Sequence, residues 1–236
     1  KIRKKIINEK NFEFDTRSTL EIYNDLKKKN DKISLKISPR EITISGNRKV
    51  YSLSGLKSRE TIYLNYNGYY PISKTDRFGF NNNDNAWDSK NIEFLIIGDD
   101  FAQGIGVQRK ENFALNIEKL INKNLSVINL GQNNNGPLTE YATLREYLPI
   151  IKTKRILIMY YEGNDLKDLK LELNNQILSK YLDDVSFSQN LVQLNNIIDN
   201  ELEKILHSKI NDLQNLKKID KKGKIINFVK LNALRT

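Results

Sequence analysis

The sequence contains no cysteine and a single histidine among its 236 residues. Without cysteine the chain has no disulfide, no thiolate nucleophile and no cysteine-ligated zinc. One histidine excludes a metal site built from several imidazoles. The main interpretation therefore assigns the chain no metal and no other cofactor. Neither absence identifies the cellular compartment.

The sequence also lacks a long apolar run, since none of its hydrophobic stretches approaches the roughly 20 residues that span a bilayer. Hydrophobic residues still make up 39% of the chain, which is enough to supply a core. The chain as printed is expected to be soluble. It begins with Lys1, so we expect that its native start is missing and that an upstream signal peptide or membrane anchor would not be visible.

Positive charge exceeds negative charge, with 39 Lys and Arg against 29 Asp and Glu and a formal net charge of +10. Such an excess is one mark of nucleic-acid binding. Here the basic runs at 1–5, 27–29 and 217–224 are scattered and carry few aromatic residues between them. We interpret most of this charge as solvated surface, which predicts no specific nucleic-acid partner and leaves an anionic partner as the alternative.

Two regions differ in their sequence pattern, 1–90 and 91–236. In the first, Asp15 and Thr16 are candidate caps of a helix that runs to about residue 29. Short alternating stretches at 41–44 and 61–64 predict strands, so this region is expected to be a small α+β leader or cap. In the second, strands are predicted at about 92–97, 126–130 and 155–160, with helices at about 110–122, 137–152 and 189–213.

Strands that alternate with helices predict a parallel sheet in an α/β domain. We expect six apolar residues to fill its interior: Leu95, Ile96, Ile128, Leu130, Leu157 and Met159. Three strands are fewer than the five or six of a doubly wound sheet. The domain at 91–236 is therefore predicted to be C-terminally incomplete in this sequence.

Each predicted strand is followed by a short motif of glycine, aspartate and asparagine. The motifs are Gly-Asp-Asp at 98–100, Asn-Leu-Gly at 129–131 continuing to Asn-Gly-Pro at 135–137, and Glu-Gly-Asn-Asp at 162–165. Ligands of open α/β sheets bind at the carboxyl ends of the strands. The motifs are therefore predicted to meet at one edge of the sheet, with the side chains of Asp100 and Asn164 within reach of each other.

These three motifs, in this order, resemble the sequence blocks of the SGNH (GDSL-type) hydrolase family over roughly residues 60–200. The resemblance implies a flavodoxin-like three-layer α/β sandwich. It implies an ester hydrolase or O-acyltransferase that acts on small acyl (acetyl) esters, including those of envelope glycans. It also places Asp100 at the nucleophile position and Asn164 in the oxyanion hole, with Gly131 or Gly136 as the backbone donor beside it.

The sequence departs from the family pattern in two places. Asp100 stands where the family has its serine nucleophile, and the family's C-terminal Asp-x-x-His is absent, because the single histidine, His207, has Lys204 three residues before it. A base beyond residue 236 would explain the second departure, but a carboxylate cannot be activated as a hydroxyl is. We therefore expect a catalytically impaired scaffold. The alternatives are a carboxylate nucleophile, a non-catalytic glycan- or acyl-binding pseudo-hydrolase, and a divalent-metal-binding acidic site.

Acidic residues beside these positions, Asp99, Glu162 and Asp165, are predicted to line the site. In a flavodoxin-like strand order the first and third strands are neighbours, which would bring Asp99 and Asp100 opposite Glu162, Asn164 and Asp165. Oxygen ligands of this kind suit Mg²⁺ or Ca²⁺, which is the basis of the metal alternative. Asp99 and Asp100 place two carboxylates close together, and their repulsion raises the pKa of at least one of them. We expect the raised pKa at Asp100, unless a lysine, an arginine or a metal neutralises its charge.

The expected partner is a small acyl ester or an acylated glycan. Relatives with this kind of leader lie outside the cytoplasm behind an N-terminal anchor. The resemblance therefore suggests the cell envelope or periplasm, and an anchor upstream of this chain, but no residue of the chain itself identifies its location.

Overall fold

The computed structural model describes residues 14–121 and 124–233, with side chains described up to residue 219. The basic run at 1–5 lies outside the described residues, as do the side chains of 220–224 in the run at 217–224.

From residue 14 onward, the described part of the N-terminal region contains one α-helix and two small sheets. Helix α1 (Thr19–Lys27) begins after Ser18, whose hydroxyl accepts the Glu21 N–H while the Glu21 carboxylate accepts the Ser18 N–H. This reciprocal capping box starts the helix beyond the predicted caps, Asp15 and Thr16. A mixed sheet has the strand order β1 (Ile33–Leu35), β4 (Glu60–Ile62), β5 (Ile72–Lys74), and a separate antiparallel hairpin consists of β2 (Arg40–Ile44) and β3 (Arg48–Ser52).

The second region is an alternating α/β unit around a parallel sheet. Its strands are β6 (Ile92–Gly98), β7 (Ser126–Asn129) and β8 (Thr153–Met159). The central strand, β6, pairs in parallel with β7 on one side and with β8 on the other. The predicted parallel sheet is confirmed, and its first and third strands are neighbours.

The described residues of this region form six α-helices: α2 (Asp100–Gln103), α3 (Phe113–Leu120), α4 (Pro137–Tyr147), α5 (Asp165–Glu172), α6 (Gln176–Asp183) and α7 (Leu191–Ala233). Helix α4 is shorter than predicted because Pro149 has no N–H to continue the ladder, and a 3₁₀ turn follows instead. None of the helices in the described part combines the length and apolar character that a membrane span requires.

Four of the six predicted interior residues are confirmed: Leu95, Ile96, Ile128 and Leu130 are fully buried. The prediction is wrong for Leu157 and Met159, which are only half-buried. Both lie on β8, which forms the edge of the sheet.

The edge position of β8 exposes apolar side chains. Ile156 is 39% and Ile158 is 66% exposed, although they lie in register with the buried Leu95 and Ile97 of the central strand. An apolar strand pattern predicts a strand, but burial depends on what covers it. In the described residues, β8 has a pairing partner on one side only.

The two regions share a core across the predicted boundary at 90/91. One hydrophobic cluster contains Ile33 and Leu53 of the first region together with Leu95 and Ile128 of the second. Helix α7 also lies against the first region, where the Lys57 N–H donates to the Asp199 carboxylate at 2.9 Å and Arg59 pairs with Glu203 at 2.6 Å. Residues of the first region can therefore contribute to a site at the ends of the second region's strands.

Candidate functional site

The first motif forms a tight turn from the central strand into a short helix. Gly98 has φ 156°, and a Cβ there would lie 2.8 Å from the Cβ of Ala102 and 3.0 Å from that of Met159. Asp99 caps α2, because its Oδ1 accepts the Phe101 N–H at 2.9 Å. Asp100 is the first residue of α2 and is half-buried. Glycine is required at position 98 by both the backbone conformation and the close approach.

The carboxyl of Asp99 has a raised pKa at this turn, as expected where two carboxylates are crowded. Asp99 is only 4% exposed. Burial raises its pKa to about 6. The nearby charges of Asp100 and Asp165 also favour a higher pKa, whereas the hydrogen bond from the Phe101 N–H favours a lower one. Neighbouring positions in the sequence thus differ in burial because only Asp99 turns back to cap the helix.

The two acidic residues of the third motif differ in burial: Asp165 is buried and Glu162 is exposed. Asp165 is fully buried, and its Oδ2 accepts the Tyr161 N–H at 2.6 Å, while Oδ1 has no hydrogen-bond partner among the described residues. Glu162 is exposed, and its place in the site beside Asp99 and Asp165 stays a prediction.

Asn164 lies at the N-cap position of α5 but makes no cap hydrogen bond there. Its Nδ2 donates to Asp168 Oδ2 at 2.5 Å, and its Oδ1 is buried without a partner among the described residues. The first and third motifs meet where the rings of Phe101 and Tyr161 lie 5.3 Å apart. The proximity of the Asp100 and Asn164 side chains themselves stays a prediction.

The second motif does not supply the expected backbone donor. The Gly131 N–H donates to Asn129 Oδ1 at 2.8 Å, and the Gly136 N–H donates to Glu172 Oε1 at 2.7 Å. Neither N–H is free to hold an oxyanion in this conformation, contrary to the assignment of Gly131 or Gly136 to the oxyanion hole. Between them, Asn134 has a left-handed backbone with φ 68°.

Gly131 has a packing role instead. A Cβ at this position would lie 2.5 Å from the Cβ of Ala102 and 2.8 Å from the Gln103 nitrogen. The chain that leaves β7 therefore passes directly against α2 at a distance that any side chain would prevent.

Glu140, in the first turn of α4, was missed by the sequence reasoning. It is 5% exposed, and its Oε1 has no hydrogen-bond partner among the described residues. Burial, together with the charges of Asp165, Asp99 and Glu172, raises its pKa to about 8. The sequence could have indicated this residue, because Glu140 lies in the first turn of a predicted helix that follows a predicted strand.

Lys36 and Ser38 were also missed, and no local pattern could have found them. Lys36 follows β1, yet its Nζ donates to Asn133 Oδ1, 97 residues away in the second motif, and to Ser38 Oγ at 3.0 Å. The Ser38 hydroxyl also donates to Asn133 Oδ1 at 3.3 Å. Only the packing of the N-terminal region against the strand ends brings these groups together.

Buried carboxylates lie on the inner side of the site. Within 14–121 and 124–233, no three His, Cys, Asp or Glu side chains are arranged to hold a metal ion. The pKa values of both Asp99 and Glu140 are raised, mainly by burial. His207 is exposed on α7.

A scan against protein-family models, a search of curated proteins and a search of solved structures each found no match to this chain.

Proposed function

We propose that this chain is an SGNH-like, flavodoxin-like α/β domain that binds a small acyl ester, such as an acetylated glycan, without efficient turnover. The binding edge is the carboxyl end of the sheet with strand order β7-β6-β8. One observation carries the proposal: the residue that begins α2 directly after the central strand is a carboxylate, Asp100, with a second carboxylate buried beside it.

The chemistry of these groups favours binding over hydrolysis. Ester hydrolysis through a hydroxyl needs a base that removes the hydroxyl proton, and Asp100 has a carboxyl group where a hydroxyl would be needed. Attack by its carboxylate would form an anhydride, a more reactive species than the ester it came from. A developing oxyanion would also be repelled by Asp99 and Asp100, and the N–H groups of Gly131 and Gly136 are already engaged.

Exposed aromatic side chains beside Asp100 provide an apolar contact surface. Phe101 is 62% exposed and Tyr161 is 47% exposed, and their rings contact each other at the junction of the first and third motifs. Exposed aromatic rings offer apolar area at low entropic cost. An acyl group or the face of a sugar ring suits such a surface.

We expect the purified protein to hydrolyse p-nitrophenyl acetate no faster than buffer. Asp100→Asn removes the carboxylate without adding a nucleophile and serves as the matched control, so its rate is expected to equal that of the parent. Turnover above buffer in the parent that disappears in Asp100→Asn would make Asp100 a working nucleophile and overturn the impaired-scaffold proposal.

We expect the acetyl groups of triacetin, a neutral small ester, to receive saturation transfer from the protein in NMR. Phe101→Ala removes an exposed ring beside Asp100 and is expected to reduce this transfer at least about twofold. Leu120→Ala is the control, because Leu120 is 86% exposed on α3 and outside the three motifs. Equal signals from the parent and Phe101→Ala, or no transfer at all, would contradict binding at this edge.

A further inference from the structure

Three cationic side chains converge beside the candidate site. Lys36 follows β1, Arg40 begins β2, and Lys209 lies on α7; we call them the basic cluster. The Lys209 Nζ donates to the Lys36 carbonyl oxygen at 2.8 Å, and the Arg40 Nε donates to the Ser38 carbonyl oxygen at 3.4 Å. Two distant chain segments, the connection from β1 to β2 and helix α7, therefore hold like charges close together.

Within the described part of the chain, none of these three cations has a carboxylate within 4.0 Å. By contrast Lys204, on the helix that carries Lys209, pairs with the Glu201 carboxylate at 2.7 Å. Arg40 and Lys209 are exposed and Lys36 is half-buried. Like charges that are brought together repel each other, and a bound anion would relieve this repulsion.

The Lys36 ammonium is the most constrained member of the basic cluster. It is half-buried and donates to two neutral acceptors, Ser38 Oγ and Asn133 Oδ1. Burial lowers its pKa to about 8, the charges of Lys209 and Arg40 act in the same direction, and the attraction of Asp100 opposes them. Asp100 is therefore near enough to act on the amine but does not neutralise it.

Asn133 connects the basic cluster to the strand ends. Its backbone N–H donates to Gln103 Oε1 at 2.9 Å, and the Gln103 amide donates to Gln132 Oε1 at 2.8 Å. Because Asn133 Oδ1 already accepts from Lys36 and Ser38, its Nδ2 group is left as a donor. A ligand at this point meets two kinds of donor: ammonium or guanidinium, and amide.

We propose that the basic cluster binds an anionic group, a carboxylate or a phosphate, carried by the ligand of this site. The identity of the rest of that ligand rests on the proposed function; the anion site itself rests on the cluster. A compact lysine charge and a planar arginine fork are both suited to such oxyanions. The anionic group lies against Lys36, and the remainder of the ligand extends along the strand ends toward Asp100 and Phe101.

Calorimetric titration with inorganic phosphate and, separately, succinate at low ionic strength tests the proposal and distinguishes the two anions. We expect Lys36→Met to weaken binding of the preferred anion about tenfold and Lys209→Gln at least about threefold. Lys204→Gln removes the same charge from the same helix and is expected to have no effect. Equal weakening by Lys204→Gln, or no binding of either anion, would overturn the proposal.

A labelling measurement on the unmutated protein tests the proposal even if a variant fails to fold. Lys36 is expected to be labelled by acetic anhydride at pH 8, and the bound anion is expected to protect it, while labelling of Lys204 is unchanged. If the bound anion does not protect Lys36 from labelling, the anion site is rejected. Binding of phosphate or succinate without any triacetin signal would support the anion site and reject the acyl-binding proposal, whereas the reverse result would reject only the anion site.

Discussion

Replacing Glu140 by glutamine is expected to stabilise the protein at pH 8 by about 2–4 kcal/mol and to flatten the pH dependence of its stability. The Glu140 carboxyl is buried among Asp165, Asp99 and Glu172, and its pKa is raised from 4.5 to about 8. The folded protein therefore binds this proton more tightly than the unfolded chain does. Glutamine has nearly the same shape and carries no charge.

The sign of the pH dependence follows from this proton. Below about pH 4.5 the carboxyl is protonated in both states, and its full contribution to stability is present. Between pH 4.5 and 8 the unfolded chain releases the proton first, so the free energy of unfolding falls as pH rises through this window. Asp99, with a pKa raised to about 6, contributes a smaller fall of the same sign.

Urea unfolding of the parent and Glu140→Gln at pH 5, 6, 7 and 8 measures both effects. The two proteins are expected to be similar at pH 5 and to separate progressively toward pH 8. A Glu140→Gln variant that is less stable than the parent at pH 8 would show that the ionised carboxylate has a stabilising partner, and the prediction would be wrong.

Replacing Glu146 by glutamine is expected to have the opposite effect, a loss of about 2–4 kcal/mol. This residue lies on the same helix and is 6% exposed, but its carboxylate is fully hydrogen-bonded. Its Oε1 accepts from the Tyr181 hydroxyl at 2.6 Å, the Gln189 N–H at 2.7 Å and the Ser188 hydroxyl at 2.9 Å. Its Oε2 accepts the Leu191 N–H at 2.9 Å.

A glutamine at 146 must turn its NH₂ group toward one of these donors. Donor then faces donor, and a buried N–H or O–H loses its acceptor. The bonds tie the start of α7 to α4, so we expect the urea midpoint to fall at pH 7. Glu140→Gln is the matched control, since it is the same chemical change on the same helix with the predicted opposite sign. Equal effects from the two variants would contradict the hydrogen-bond argument.

The local pattern of the sequence was sufficient for the strands and for the order of the motifs. The apolar stretches at 92–97, 126–130 and 155–160 form the parallel sheet, because strand formation follows from short-range apolar runs between turn residues. The same reasoning assigned too many residues to the core. It treated Leu157 and Met159 like Leu95, although burial depends on covering elements that are remote in sequence.

Within the candidate site, the sequence by itself determined that a carboxylate, Asp100, follows the central strand, and that an asparagine and an aspartate, Asn164 and Asp165, follow its neighbour. Residue identity and strand ends are local properties, and parallel pairing brings such ends to one edge. The tertiary structure decided that Asp99 is the buried carboxyl with the raised pKa, and that the Gly131 and Gly136 N–H groups are engaged. It also brought Lys36 to Asn133 across 97 residues. These depend on hydrogen-bond directions and on contacts between distant segments, which arise only when the whole chain packs.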